Sequence, residues 1–306
     1  MTIVAALSQI RKYVRTGFLG KKTKLVDDIN LSVRERTVHA IVGHNGAGKS
    51  TSFRVLVGAT RPDAGSVSMF GATPHLQARR RLGYASDVPA LPATLTPLEV
   101  LRLHAALKQV SWTDADGMSL LDRLGLAYAA RRQLRTFSKG MLQRTNLAQA
   151  LLGAPDLVIL DEPMSGLDPA GRDDMRRVIA EERARGATVV LATHVLADVE
   201  TLCDEFTVLR EGRTVFAGSV ASALASGRRG SLLTLAHDPH AELPPPWRAS
   251  ATRQGDLSKV AVAKNDDLGA AIVALQAAGF RLVAVQDDHQ PLEELVATLT
   301  RTEHAR

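Results

Sequence analysis

The chain has 306 residues, enough for one large domain and a smaller one, with 45% hydrophobic and 23% charged residues. Aromatics make up only 4%, which argues against a base-stacking nucleic-acid surface. The single cysteine, Cys203, excludes an internal disulfide and suits a reducing compartment as a small core filler.

No run approaches ~18 consecutive apolar residues, so no bilayer-spanning segment is expected. Met1 to Ile10 lacks the positive start and small-residue cleavage pattern of a signal peptide. The net charge of +6 is uneven: acids and bases nearly balance from Ser219 onward, and a basic cluster stands earlier at Arg11, Lys12, Arg15, Lys21, Lys22 and Lys24. Such a cluster can face anionic lipid or nucleic acid, but a solvated edge is the simpler account.

In chain order, Val38 to Val42 is a near-continuous apolar run, as in a strand buried on both faces of a parallel sheet. Gly43-His44-Asn45-Gly46-Ala47-Gly48-Lys49-Ser50 follows directly and matches GxxxxGK[ST], opening a helix from about Lys49 to Val57. Glycines let the backbone N–H groups converge on phosphate oxygens, and the helix N-terminus adds partial positive charge. Lys49 then suits the β- and γ-phosphates of a nucleotide, and the Ser50 hydroxyl suits Mg²⁺.

Pro97 to Leu152 reads as mainly helical, with Thr96 as cap, Pro97 at the first position and Glu99 completing a capping box. Leu157 to Leu160 is a second buried strand, and Asp161 and Glu162 emerge at its C-terminal end, where α/β sheets place ligands. Burying a lone carboxylate is costly, so a nearby cation is the natural compensation. Asp161 fits an outer Mg²⁺ ligand, and Glu162 fits the general base or positioner of an attacking water. Thr188 to Ala192 is a third such strand, and Phe206 to Phe216 reads as a hairpin turning at Glu211-Gly212.

Beyond Gly218 the composition changes. Pro244 to Pro246 reads as a stiff spacer, Asp266 to Ala278 as a helix, Phe280 to Val285 as a strand and Leu292 to Leu299 as a last helix. The expected division is a domain over 1–218, with a helical subdomain over about 97–152, and a small α+β domain over 219–306. No internal repeat is present.

With these motifs in place, roughly the first two-thirds of the chain resembles the nucleotide-binding domains of ABC transporters. Phe137-Ser138-Lys139-Gly140-Met141, followed by Gln143-Arg144, is similar to the family's signature loop, usually LSGGQ. Ser165-Gly166-Leu167-Asp168 resembles the D-loop, and His194 stands at the switch-histidine position. The resemblance implies an α/β P-loop ATPase fold and ATP with Mg²⁺ held by Gly43 to Ser50 and Thr51. It also implies hydrolysis by Lys49, Glu162 and His194. Ser138, Lys139, Gly140 and Met141 would contact the γ-phosphate of ATP bound by an opposite subunit, so a head-to-tail dimer is implied. The family's adenine aromatic is matched by Tyr13, with Phe18 as the alternative.

Three departures stand out. Asp87 takes the Q-loop position, where Gln or Glu is usual and where the resemblance implies the linkage to the permease; its shorter carboxylate would reach Mg²⁺ only through water. Lys139 and Met141, with the tail Pro291-Leu292-Glu293-Glu294-Leu295, resemble the ABC-2-type export ATPases, including drug-resistance and gliding-type members. Arg36-Thr37 also replaces a common Gly-Glu before the first buried strand. The implied function is a transport motor acting on a separate integral membrane permease, located in the cytoplasm at the inner face of the membrane. The alternative is a soluble ABC-type ATPase acting on nucleic acid or ribosomes; such proteins usually carry tandem units or long coiled coils, neither of which is present, and no nucleic-acid partner is expected. A P-loop kinase is disfavoured by the Ser138 loop and His194.

Overall fold

The computed structural model describes residues 2–16, 21–73, 76–238, 241–248 and 251–301. Its chain divides into two units, Met1–Val220 and Ala221–Arg306.

The first unit opens with two long strands, β1 (Ile3–Thr16) and β2 (Lys21–Arg34), which the apolar-run pattern does not reveal. They pair antiparallel with Leu7 opposite Leu31 and Ile10 opposite Ile29. One face thereby buries Leu7, Ile10, Ile29 and Leu31 while the other stays wet, the usual state of an antiparallel sheet. The three strands foreseen as buried are β3 (Val38–Val42), then, further along the chain, Leu157–Asp161 and Thr188–Thr193, and every residue in them is buried.

Helix α1 (Lys49–Leu56) follows β3, with Gly48 as its cap, and its Phe53 is fully buried. Then come β4 (Ala64–Met69), α2 (Leu76–Arg80) and β5 (Leu82–Ala85). The helical stretch holds α3 (Pro97–Lys108), α4 (Asp114–Arg123) and α5 (Lys139–Leu151). The Thr96–Glu99 capping box forms in full, and Thr113 with Asp116 repeats it at the start of α4. The unit finishes with β6 (Leu157–Asp161), α6 (Pro169–Ala184), β7 (Thr188–Thr193), α7 (Leu196–Leu202), β8 (Glu205–Arg210) and β9 (Arg213–Ser219).

Nine strands join in the order β4-β1-β2-β9-β8-β3-β7-β6-β5. The β5, β6, β7, β3 and β8 stretch is parallel, whereas β8 and β9 form the antiparallel hairpin. This is the expected α/β architecture, with the parallel strands ending together beside the glycine-rich loop. A tie reinforces that end: the Gly212 amide of the β8–β9 turn donates to the Ala47 carbonyl, and the Gly212 carbonyl accepts from the Asp27 amide.

The second unit holds α8 (Val220–Ser226, begun at the last residue of the first unit), β10 (Arg228–Ala236), α9 (Pro245–Arg248), β11 (Thr252–Gln254), β12 (Leu257–Ala263), α10 (Leu268–Ala277), β13 (Arg281–His289) and α11 (Leu292–Arg301). Its sheet runs β11-β12-β10-β13, all antiparallel, over a core of Leu233, Leu235, Val260, Val262, Leu275 and Phe280. The proline run is not an extended spacer. Pro245 and Pro246 start α9, because the first helical turn needs no N–H donors and proline's fixed φ suits it.

Candidate active site

Gly43 to Gly48 turns tightly between β3 and α1. Gly46 and Gly48 have φ of 83° and 107°, and a Cβ on Gly48 would lie 2.8 Å from Val26 Cγ1. Only glycine satisfies both demands. The Lys49 ammonium is buried and donates to the Gly43 carbonyl at 2.6 Å and to the His44 carbonyl at 3.4 Å. It also lies 3.0 Å from Glu162 Oε1.

At the end of β6, Glu162 adopts a φ of 49°, an uncommon left-handed conformation for a residue with a side chain. Its amide is held by the Ala192 carbonyl of β7 at 3.1 Å. Its Oε2 is 3.0 Å from His194 Nδ1. Strain of this kind, costing about 1–3 kcal/mol, concentrates where geometry serves chemistry. Lys49, Glu162 and His194, distant in sequence, thus form one connected line.

Asp161 is buried beside them. Burial pushes its carboxyl above the usual range, opposed by a hydrogen bond from the Ser50 hydroxyl and by the Lys49 charge, and assisted by the charges of Asp87 and Glu162. Its Oδ1 is buried without a hydrogen-bond partner. A desolvated carboxylate with one free oxygen, next to a serine hydroxyl, fits a hard divalent cation. Among the described residues, no three or more His, Cys, Asp or Glu side chains are grouped so that they could hold a metal ion by themselves. Mg²⁺ does not need such a group, since it commonly takes one or two protein ligands plus phosphates and waters.

A cleft of about 210 Å³ gathers His44, Asn45, Gly46, Gly48, Lys49, Ser50, Thr51, Asp87 and Glu162, together with Leu25, which the sequence had not suggested. A larger hollow of about 900 Å³, lined by Arg36, Arg81, Arg183, Arg185 and Thr188 among others, lies at the N-terminal ends of the strands. Ligands of α/β sheets bind at the C-terminal ends, so the smaller cleft is the site. Arg36 has a φ of 62°, and its amide donates to Thr188 Oγ1 at 2.8 Å; nothing in the structure gives the Arg36-Thr37 pair a functional role.

Tyr13 lies outside the cleft lining. It sits on β1 opposite Lys24, 37% exposed, with its amide held by Asp63 Oδ2 at 2.7 Å. Phe18 lies outside the described residues. Within the basic cluster, Arg11 donates to the Asp27 carbonyl, Lys12 pairs with Asp63 and Lys24 with Asp27.

Ser138 caps α5 by accepting from the Met141 amide at 3.3 Å, and Asp168 caps α6 by accepting from the Gly171 amide at 2.9 Å. Ser138, Lys139, Gly140, Met141 and Asp168 are absent from the cleft lining. Sequence reasoning also missed Asn146 and Gln149. Both are buried on α5 and donate to the Ser86 and Tyr84 carbonyls at 2.7 Å, fastening α5 to the segment that carries Asp87. Two buried amides three residues apart on a helix are the signal that could have found them.

The strand–loop–helix cradle and the paired acids at the next strand define a P-loop ATP-binding protein. The ABC transporter family profile matches residues 26–165. An uncharacterised ABC transporter ATP-binding protein of Nostoc is 40% identical over 231 residues, covering 73% of this chain and 68% of that protein. The bacitracin transport ATP-binding protein BcrA of Bacillus licheniformis is 36% identical, covering 62% and 63% respectively. The daunorubicin/doxorubicin resistance ATP-binding protein DrrA of Streptomyces peucetius is 34% identical, covering 71% and 67%. A solved ATP-binding subunit of an ABC transporter superposes with a TM-score of 0.64 at 30% identity, over 74% of this chain and 93% of that one. The chain belongs to the ABC transporter ATP-binding proteins. The match spans about two thirds of these curated relatives' own length.

Proposed function

We propose that the chain is the ATP-hydrolysing motor subunit of an ABC-2-type exporter, working on a separate integral membrane permease at the inner face of the membrane. The observation that carries this reading is the line Lys49–Glu162–His194 beside the buried Asp161. The relatives' names, which refer to bacitracin transport and to daunorubicin/doxorubicin resistance, support export. No helix among the described residues is long and apolar enough to cross a membrane, so the path for cargo would come from the permease.

The loop Gly43 to Thr51 would wrap the phosphates of ATP, with Lys49 neutralising the β- and γ-phosphate charge. Ser50 and Asp161 would hold Mg²⁺, which supplies charge neutralisation at the transferring phosphoryl group. Glu162 would orient the attacking water and accept its proton, its carboxylate aimed by His194. His194, 55% exposed, is free to meet the γ-phosphate as well. Tyr13 would flank the adenine from β1.

The cleft of about 210 Å³ is smaller than the ~300–1,000 Å³ of a complete small-molecule pocket. That supports a half-site closed by Ser138, Lys139, Gly140 and Met141 of a second subunit, a copy or a paralogue, with Asp168 beside the interface. Asp87, in the cleft and fastened through Ser86 to α5, would pass the stroke to the permease.

Phosphate release from ATP by the purified chain, with Mg²⁺ and with excess chelator, tests the reading. Turnover that requires Mg²⁺ and vanishes in Lys49→Ala is expected. Chelator-insensitive turnover, or none after reconstitution with its permease, would overturn it.

A further inference from the structure

Between α4 and α5 the chain passes through two short helical turns, Ala127–Ala129 and Leu134–Thr136. Ala129, Ala130 and Leu134 are buried and hold the segment down. The residues beside these anchors are turned outward, and Arg131, Arg132 and Arg135 are all exposed. Among the described residues, none of these arginines forms an ion pair or a side-chain hydrogen bond. The sequence explains the imbalance, since no Asp or Glu occurs between Asp122 and Asp156. The other arginines of that stretch find acids on α6: Arg123 pairs with Glu181 and Glu182, and Arg144 with Asp174. The surroundings are uncharged. The Leu134 and Arg135 amides donate to the Leu95 and Ala93 carbonyls at 2.9 Å, which joins the arginines to Val88–Leu98, a stretch without charge of either sign. Its Pro92, Ala93 and Thr94 are exposed, and Tyr128, just before the arginines, is 73% exposed. Arg131, Arg132 and Arg135 lie outside both cavities described above.

We infer that Arg131, Arg132 and Arg135 form a docking patch for the anionic headgroups of a membrane, holding the subunit to the leaflet independently of its permease. The inference takes from the proposed function only that the subunit works at a membrane. An anionic leaflet attracts nearby Lys and Arg, and the pull fades within a Debye length. Unpaired guanidiniums bordering an uncharged ridge suit that boundary, and so does an exposed tyrosine, which settles where apolar and wet regions meet. Nucleic acid is the poorer match, since a single strand calls for several stacking aromatics and only 4% of the chain is aromatic.

The test floats the full chain, without permease, on vesicles of phosphatidylcholine alone or of equal parts phosphatidylglycerol and phosphatidylcholine. Binding is expected to the anionic vesicles only, and it should fall as salt rises. Each cation at the surface contributes about fivefold. Arg131→Gln, Arg132→Gln and Arg135→Gln together should therefore weaken binding on the order of a hundredfold. The same positions changed to Lys should bind like the parent, because a sheet of headgroups reads charge and not the planar fork of arginine. Melting temperature and basal ATP hydrolysis of both variants should match the parent. Equal binding of the parent to both kinds of vesicle would overturn the inference, and so would undiminished binding by the Gln variant. A loss with Lys as large as that with Gln would also overturn it, in favour of a shaped acidic protein partner. Preference for single-stranded RNA over the vesicles at equal phosphate concentration would overturn it in favour of nucleic acid. A parent that binds the anionic vesicles as expected but hydrolyses no ATP would bring down the motor reading and leave the patch standing.

Discussion

Replacing Glu162 by Gln is the most searching perturbation, because shape is conserved and chemistry is not. The amide cannot accept a proton, and loss of a positioned general base costs about 10²–10⁴ in rate, roughly 3–5 kcal/mol of barrier. The structural cost is smaller. The Lys49 ammonium loses the charge at 3.0 Å but keeps the Gly43 and His44 carbonyls at 2.6 and 3.4 Å, so it is not stranded. Even a full charge-assisted hydrogen bond, which this ion contact is not, would bound the penalty at about 1.5–3 kcal/mol. Each kilocalorie corresponds to about 2–4 °C of melting temperature in a domain of this size. Phosphate release should therefore fall at least a hundredfold, while ATP still binds and still raises the melting temperature. Gel filtration with ATP should show a trapped dimer. Turnover within about threefold of the parent would refute Glu162 as the base, and an ATP complex that elutes only as monomer would refute the two-half-site arrangement.

Gly48→Ala should abolish ATP binding in calorimetric titration and destabilise the fold by about 1–3 kcal/mol, since the new methyl meets Val26 Cγ1 at 2.8 Å in a left-handed backbone. Lys108 is pushed down to about 8 by burial and donates to the Leu152 carbonyl at 3.2 Å. The unfolded chain therefore holds this proton more tightly, and its cost to stability is full below pH 8 and relieved as pH climbs toward 10.5. Lys108→Met should raise the melting temperature at pH 7 by several degrees and by much less near pH 10; equal gains at both would contradict the burial account. Asp87→Gln should raise permease-stimulated hydrolysis several-fold in reconstituted vesicles, and unchanged stimulation would show that Asp87 is not a weak link.

Local chemistry explains which parts of this fold could be foreseen. Val38–Val42, Leu157–Asp161 and Thr188–Thr193 are buried on both faces, so their sequences are largely apolar and legible without context. The caps at Thr96, Ser138 and Asp168 act within three residues, and all three form. β1 and β2 are another matter: bulges between Leu7 and Ile10 and again near Lys12 break their alternation, and their pairing is a long-range choice. The ion pair of Lys49 with Glu162 and the contact of His194 with Glu162 join residues from the start of α1 and the ends of β6 and β7, which order along the chain suggests but spacing alone does not supply. Asn146 and Gln149 are harder to read, because the backbone carbonyls they grip leave no mark of their own and only the pair of amides three residues apart on one helix points to them. The proline run misled because the same fixed φ serves an extended spacer and the first turn of a helix.

The fastening of α5 to the end of β5 has a mechanical meaning. Apolar contacts slide by small increments, whereas the amides of Asn146 and Gln149 grip two carbonyls whose hydrogen bonds are either made or broken. A third bond between the two amides, at 3.2 Å, makes the clasp a single unit. A tilt of α5 would then drag Ser86 and Asp87 with it, like a crank keyed to its shaft, so that movement of the helix reaches the cleft through two buried side chains.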